Sequence, residues 1–333
     1  MKVSLIITTY NSPDMLRLCL MSAAAQTRVP DEVIIADDGS GDDTRLLIEE
    51  FSRNFPCPIK HAWQEDRGFR AAEARNNAMR MCECDYVVMI DGDIIMERHF
   101  IADHSRLAQR GFFVVGSRSK LKPAITNHLI RRKSIQRHWY SRGVKSRFNS
   151  IYMPWLTRWT KDLYKKDWDK GRSANMAAFL DDLKAVNGFD SDMVGYGLED
   201  TDIIVRLINY GLKRKWAKFQ AIEYHLYHKE KSFVESNRPL LQNNLTRTMC
   251  KNGIKKLSQE KQHCHSNYIY NSNDSIYYLH TFCLLLLCIF LLTKYCPYYI
   301  ISCKYNRKNH HNPMDDTVIF SRRICRQRNC FIF

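Results

Sequence analysis

Two short stretches hold the acids best placed to do chemistry. Asp91-Gly92-Asp93 sets two carboxylates one residue apart where the apolar run 86–90 ends, and Glu199-Asp200, within GYGLEDTD (195–202), sets two more side by side. Two histidines three apart, His225 and His228, follow in EYHLYHKE. Paired carboxylates at a strand end offer oxygen ligands to a hard divalent cation such as Mg²⁺ or Mn²⁺. The plain alternative for the first pair is a strand-end turn with solvated acids, and for the second a helix start whose acids suit the macrodipole. The chain offers phosphate no glycine cradle, since neither G-x-G-x-x-G after the first apolar run nor G-x-x-x-x-G-K-[ST] anywhere is present. A cation on Asp-Gly-Asp would supply the missing neutralisation, with the glycine letting the backbone turn and a diphosphate approach closely.

Such groups need rigid mounts, and the first half of the chain alternates strand and helix signals at short intervals. Residues 3–8 form a β-branched and aliphatic run of the kind buried on both faces. Ser12-Pro13-Asp14 then supplies an N-cap, a proline for the first helical turn and an early acid, which predicts a helix over about 13–25. The plan repeats: a strand at 32–36 and a helix at about 43–53, a strand within 59–64 and a helix over 70–82, then a fourth strand at 86–90. Ile203, Ile204, Leu207 and Ile208 predict a further helix over 199–210. This alternation gives an α/β fold with a mostly parallel sheet and helices on both faces. Ligands of such sheets bind beyond the carboxyl ends of the strands. Three of the four strands end there in polar clusters, at 8–11, 37–40 and 91–93, which the topology brings to one edge.

Bulk properties set wider bounds. The 333 residues suffice for one large domain or two medium ones, and 45% hydrophobic content is enough for a core. The net charge of +16 is unevenly placed: 118–172 carries 16 Lys/Arg against 3 Asp, 251–333 carries 12 against 4 acids, and the remainder is mildly acidic at −5. Basicity therefore belongs to an insert and a tail. Of the 12 cysteines, 5 precede residue 251 and 7 follow it at irregular spacing, which implies no disulfide framework. Cys82-Glu83-Cys84 is too tight for a zinc knuckle. The opening MKVSLIITTYN is too brief for a signal-peptide core, so a reducing cytosol is the expected compartment.

Four stretches in order, VSLIITTYN (3–11), VIIADDGSGDDT (33–44), GFRAAEARNNA (68–78) and YVVMIDGD (86–93), resemble the family 2 glycosyltransferases of the nucleotide-diphospho-sugar transferase (GT-A) fold. The stretch 172–207, RSANMAAFLDDLKAVNGFDSDMVGYGLEDTDIIVRL, and AIEYHLYHKE (221–230) resemble galactosyltransferase-like and chondroitin-polymerase-like members. The resemblance covers 1–117 and 173–250, and it implies an inverting, metal-dependent enzyme. Its donor would be a UDP-sugar, its transferred group a hexose or N-acetylhexosamine, and its acceptor a glycan or lipid-linked glycan of bacterial surface polysaccharide or lipopolysaccharide. Carried onto these positions, the resemblance gives Thr8, Tyr10 and Asp38 to the nucleoside, with the Tyr10 ring near the base and Asp38, ahead of Asp37, accepting from a uracil N–H. Arg75 would reach a phosphate, or else lie on a solvated helix face. Asp93 would bind Mn²⁺ or Mg²⁺ directly, with Asp91 shared between metal and ribose. Asp200 would be the general base for the acceptor hydroxyl and Glu199 would orient the acceptor. Either His228, the favoured one, or His225 would add a metal ligand. The chain lacks the Q-x-x-R-W element of processive synthases, so one sugar per encounter is expected.

Two stretches fall outside the resemblance. Residues 118–172 hold Trp139, Trp155, Trp159 and Trp168 among the basic residues. They are expected as a solvated excursion or as a peripheral contact with an anionic membrane, rings at headgroup depth and cations on lipid phosphate. Nucleic acid is the less favoured partner. The tail, 251–333, contains the apolar segment 276–293, close to the about 18 residues of a membrane helix, and is expected as a weak anchor or an extension outside the ancestral domain. The predicted organisation is a nucleotide-sugar-binding half at 1–117, a basic aromatic insert at 118–172, an acceptor-binding half at 173–250 and a basic, Cys-rich tail, working in the cytoplasm at the inner face of the cell membrane. The reading from another class is a non-catalytic membrane- or nucleic-acid-binding protein that uses the insert.

Overall fold

The computed structural model describes residues 1–137, 139–160, 173–229 and 234–257. The apolar segment 276–293 lies outside the described residues, as does the rest of the tail from 258. The first half runs β1 (Val3–Thr9), α1 (Pro13–Ala24), β2 (Glu32–Asp37), α2 (Asp42–Ser52), β3 (Ile59–Trp63), α3 (Ala71–Arg80) and β4 (Tyr86–Asp91), as the strand and helix signals predict. Then come β5 (Ile94–Met96), α4 (Phe100–Leu107), β6 (Phe112–Val115), β7 (Ser117–Lys120), α5 (Pro123–Arg132), a 3-10 turn (Arg147–Ser150) and α6 (Pro154–Thr160). The second half adds β8 (Asn175–Phe179), α7 (Leu180–Ala185), α8 (Glu199–Asn209), β9 (Lys213–Trp216), β10 (Ile222–His225) and α9 (Asn237–Asn244).

Seven strands form the main sheet in the order β3-β2-β1-β4-β8-β6-β9. All are parallel except β8, which runs antiparallel to both β4 and β6. The central strand β1 reads as an unbroken apolar run because both of its faces are covered. Val3, Leu5 and Ile7 pack with Leu16 and Leu20 of α1 and Leu47 and Ile48 of α2, while Ile6 joins Ala74 and Ala78 of α3 and Ile203 and Leu207 of α8. Each such side chain contributes about 1.5–3 kcal/mol on burial, which makes the sheet a stiff platform for whatever its strand ends carry.

A second sheet of three strands, β5-β10-β7, adjoins the region after β4. Its register pairs Tyr224 with Ile95 across the antiparallel β10/β5 ladder and Glu223 with Arg118 across the parallel β10/β7 ladder. Beneath it Ile95, Ile222 and Tyr224 pack with Leu121, Leu129 and Val144. The basic stretch therefore does not begin as a solvated excursion: β7 straddles residue 118, and three apolar side chains beyond it are buried. Composition changes at 118 because the outer surface turns basic there, while the inward side of α5 needs only Thr126 and Leu129, one turn apart, to seat it. Among the described residues no helix is long and apolar enough to cross a membrane.

Candidate active site

The ends of β1, β2 and β4 open into one cavity of about 580 Å³, to which α8 and the end of β10 also contribute. Thr8, Tyr10, Asp38, Arg75, Asp91, Asp93, Glu199, Asp200, His225 and His228, the ten residues singled out from the sequence, all line it. Topology explains the convergence. Parallel pairing of β1 with β2 and β4 aligns Thr9 with Asp37 and Thr8 with Asp91. The antiparallel ladder sets His225 opposite Ile94, and so beside Asp93.

Asp93, His225 and His228 each offer one ligand atom, all within 4.8 Å of one another. His228 Nε2 lies 2.9 Å and His225 Nε2 3.4 Å from Asp93 Oδ2. Asp93 Oδ1 is buried and takes no hydrogen bond. Burial opposes ionisation of Asp93, but the hydrogen bond from His228 and the nearby cations outweigh it and hold the carboxyl below its ordinary range. The same hydrogen bond lifts His228 to about 9, whereas burial pushes His225 down to about 4. Two imidazoles and a carboxylate with one unused buried oxygen fit a borderline-hard divalent ion such as Mn²⁺. Both histidines join the cluster, so the sequence's choice between them is not one the geometry requires.

Asp91 stands apart from that cluster. Its Oδ1 lies 3.2 Å from Arg75 Nη2 and its Oδ2 3.4 Å from Arg118 Nη2, so two guanidinium groups clamp the carboxylate expected to be shared with a metal. The intervening Gly92 donates its N–H to the Thr8 carbonyl at 2.7 Å. A Cβ there would lie 3.2 Å from that carbonyl oxygen, so the glycine serves close packing on β1 as much as the turn.

Arg75 is only 5% exposed, which corrects the alternative of a solvated helix face. The period of α3 turns it inward, where Nε donates to Thr8 Oγ1 at 3.1 Å. Nη1 lies 3.5 Å from Glu199 Oε1 and 3.7 Å from Asp200 Oδ1, without a hydrogen bond to either. Its donors thus turn toward three carboxylates as well as the cavity where a phosphate was expected.

The acid pair begins α8 after an unusual approach. Gly195, Gly197 and Leu198 all have left-handed φ, of 88°, 123° and 74°. A Cβ on Gly195 would fall 2.7 Å from Val234 Cγ2, and Leu198 carries strain of order 1 kcal/mol to make the turn. Glu199 is buried, with Oε2 accepting from the Gly197 N–H at 3.1 Å. Burial, then the charge of Asp200, raise Glu199 to about 7 against the pull of Arg75. Asp200 is the more open of the two and accepts a hydrogen bond from the Ser173 hydroxyl.

At the nucleoside end, Tyr10 is partly exposed and donates its hydroxyl to Asp66 Oδ2 at 2.9 Å. Asp38 is nearly buried; Oδ1 accepts from Gln64 Nε2 and Oδ2 from the Arg70 N–H, each at 2.7 Å. Asp38 therefore also ties down the loop before α3. Asp37 does not line the cavity; it pairs with His61 at 2.8 Å.

Sequence reasoning missed several lining residues. Arg118 pairs with the fully buried Glu223 at 2.5 Å as well as with Asp91. Burial raises Glu223 to about 8 despite that partner. Lys120, Lys229, Phe69 and Tyr196 also line the cavity. The signal that could have found Arg118 was weak: a basic residue alternating with serines in SRSK, at the edge of a charged run.

Residues 4–162 match the family described as Glycosyl transferase family 2, and residues 159–229 match the one described as N-terminal domain of galactosyltransferase. The chain is 26% identical over 235 residues to validoxylamine A glucosyltransferase of Streptomyces hygroscopicus subsp. limoneus, covering 63% of this chain and 48% of that one. It is 36% identical over 93 residues to hyaluronan synthase of Pasteurella multocida, covering 28% and 9% respectively. In fold it is similar to S. aureus TarS 1-349 in complex with UDP, with a TM-score of 0.51 at 16% identity over 74% of this chain and 64% of that one. The chain thus spans about half the length of the Streptomyces relative and less than a tenth of the Pasteurella one. The two family matches run on from one another through the strands and helices that build the cavity: residues 4–162 form a family 2 glycosyltransferase domain of the GT-A fold, and a galactosyltransferase-like stretch continues it to 229.

Proposed function

We propose that the protein transfers a hexose or N-acetylhexosamine from a UDP-sugar to a hydroxyl of a glycan acceptor, with inversion and with the help of a divalent cation. The observation that carries this reading is that the Asp93–His225–His228 cluster and the Glu199–Asp200 pair open into the same cavity of about 580 Å³, a size suited to one nucleotide-sugar. Asp93, His225 and His228 would hold Mn²⁺ or Mg²⁺, which when bound takes up charge on the departing phosphate oxygen. Thr8, Tyr10 and Asp38, at the ends of β1 and β2, receive the nucleoside, and Arg75 and Arg118 pair with Asp91 beside the diphosphate. Asp200 accepts the acceptor hydroxyl's proton as that oxygen attacks the anomeric carbon from the face opposite the diphosphate, which gives inversion. Glu199 orients the acceptor. A relative named as a hyaluronan synthase favours a polysaccharide-type acceptor, here a bacterial surface polysaccharide or lipopolysaccharide, and the TarS likeness with UDP is in keeping with a uridine donor.

The reading includes a peripheral membrane contact at the inner face of the cell membrane. No acid occurs between Asp103 and Asp162 in the sequence. Within that run Arg131, Arg132, Lys133, Arg142, Lys145 and Arg147 are exposed, together with Trp139, Tyr140, Phe148 and Trp155.

The test is incubation of the protein with a panel of UDP- and other nucleotide sugars, Mn²⁺ and glycan acceptors, following nucleoside diphosphate release with and without EDTA. Release from a UDP-sugar that EDTA abolishes is expected. Full activity in EDTA, or no turnover of any donor, contradicts the reading.

A further inference from the structure

The carboxylate of Asp200 is anchored by one oxygen. Oδ1 accepts the Ser173 hydroxyl and lies 3.7 Å from Arg75 Nη1. Among the described residues Oδ2 takes no hydrogen bond, and Asp200 lines the cavity. The two anchors come from different elements, Arg75 from α3 and Ser173 from the residues leading into β8. Ser173 is itself buried, at 1% exposure, and is absent from the cavity lining. It therefore reaches the chemistry only through Asp200. Arg75 in turn is fixed by Thr8 and Asp91, so the strand end on the donor side and the acid at the start of α8 share one rigid cation.

We propose that Ser173 is a positioning residue for the proton-accepting step: with Arg75 it holds Oδ1 of Asp200 and leaves Oδ2 as the oxygen presented to the acceptor hydroxyl. This rests on the functional reading above. The terminal torsion of an aspartate is broad and roughly two-fold, so an unanchored carboxylate would divide its time among orientations. A hydroxyl donated to an ionised oxygen is among the stronger hydrogen bonds and selects one of them, which is how a bound geometry becomes reactive. In the step itself, the acceptor's O–H proton passes to Asp200 Oδ2. The acceptor oxygen forms its bond to the anomeric carbon as the bond from that carbon to the diphosphate oxygen breaks, and the diphosphate leaves with the electron pair.

Ser173→Ala and Ser173→Thr test this, assayed with the UDP-sugar and acceptor that the parent turns over. Ser173→Ala should lower kcat about tenfold while the donor KM and the Kd for UDP change by less than about twofold, and Ser173→Thr should recover most of the rate. An unchanged kcat in Ser173→Ala overturns the inference. A threonine variant as slow as the alanine one does the same, and so does loss of UDP binding in step with kcat, since that marks a structural residue. If the parent transfers no sugar, or if Asp200→Asn keeps the parent's rate, the functional reading falls and takes this inference with it. Those two results are read without any Ser173 variant, so the two failures are distinguishable.

Discussion

His228 approaches Asp93 to 2.9 Å from a position three residues past the end of the strand that carries His225. Both imidazoles therefore address one carboxylate, whose second oxygen is buried without a hydrogen bond. His228→Ala and Asp93→Ala should each weaken Mn²⁺ binding by at least about tenfold, the low end of what even outer partners of metal sites contribute. Calorimetric titration of Mn²⁺ into the nucleotide-free protein checks this. Unchanged affinity in both variants would remove the cluster from the account.

Arg75, itself buried, faces the carboxylates of Asp91, Glu199 and Asp200 at once. Replacing it by a neutral side chain of similar length leaves those carboxylates without their shared cation. Arg75→Met should destabilise the fold by about 3–5 kcal/mol, measured by urea unfolding. A loss below about 1 kcal/mol would mean that solvent rather than Arg75 carries the compensation.

The protonation of Glu199 sets a pH dependence of stability. The folded protein holds this proton up to about 7, well above the ordinary glutamate value, because the group is buried and then because Asp200 lies beside it. Between the unfolded value and 7 the folded state binds more protons, so stability is fully present below that range and falls as pH rises through it. Glu199→Gln removes the dependence. It should be more stable than the parent by about 3 kcal/mol at pH 8 and indistinguishable at pH 4, in chemical denaturation at both pH values. A gain that is larger at low pH would reverse the assignment.

The exposed cations of the α5 region bear on the membrane contact. Arg131→Glu, Arg132→Glu and Lys133→Glu combined should reduce sedimentation with phosphatidylglycerol vesicles on the order of 100-fold, at about 1 kcal/mol per cation. Vesicles of phosphatidylcholine alone should not sediment the parent. Equal sedimentation of parent and variant, or tight binding of the parent to single-stranded RNA with none to vesicles, points to a different partner.

The strands up to β4 were legible because buried parallel strands are compact apolar runs between turn signals, and their polar ends named the cavity before it was seen. The small sheet was not. β7 reads SRSK and β10 reads IEYH, with no apolar run to give them away, and β5 has three residues. Arg118 and Glu223, paired across the β7/β10 ladder, are 105 positions apart, and nothing in one sequence links them. Arg75 was legible as a cation near the site, yet helical periodicity tells which face a residue occupies and not what stands opposite it. The three carboxylates it meets come from two distant segments. Ser173 gave no signal at all, since its role depends on β8 running against its neighbours.

Asp200→Asn is the substitution that tests the central claim most directly, because it keeps shape and removes the proton acceptor. With donor, acceptor and Mn²⁺ saturating, kcat should fall by at least about 100-fold, the loss typical of a positioned general base, while UDP affinity stays at the parent's value. Turnover at the parent's rate would contradict the claim that the cation cluster and this carboxylate work on one sugar from within one cavity.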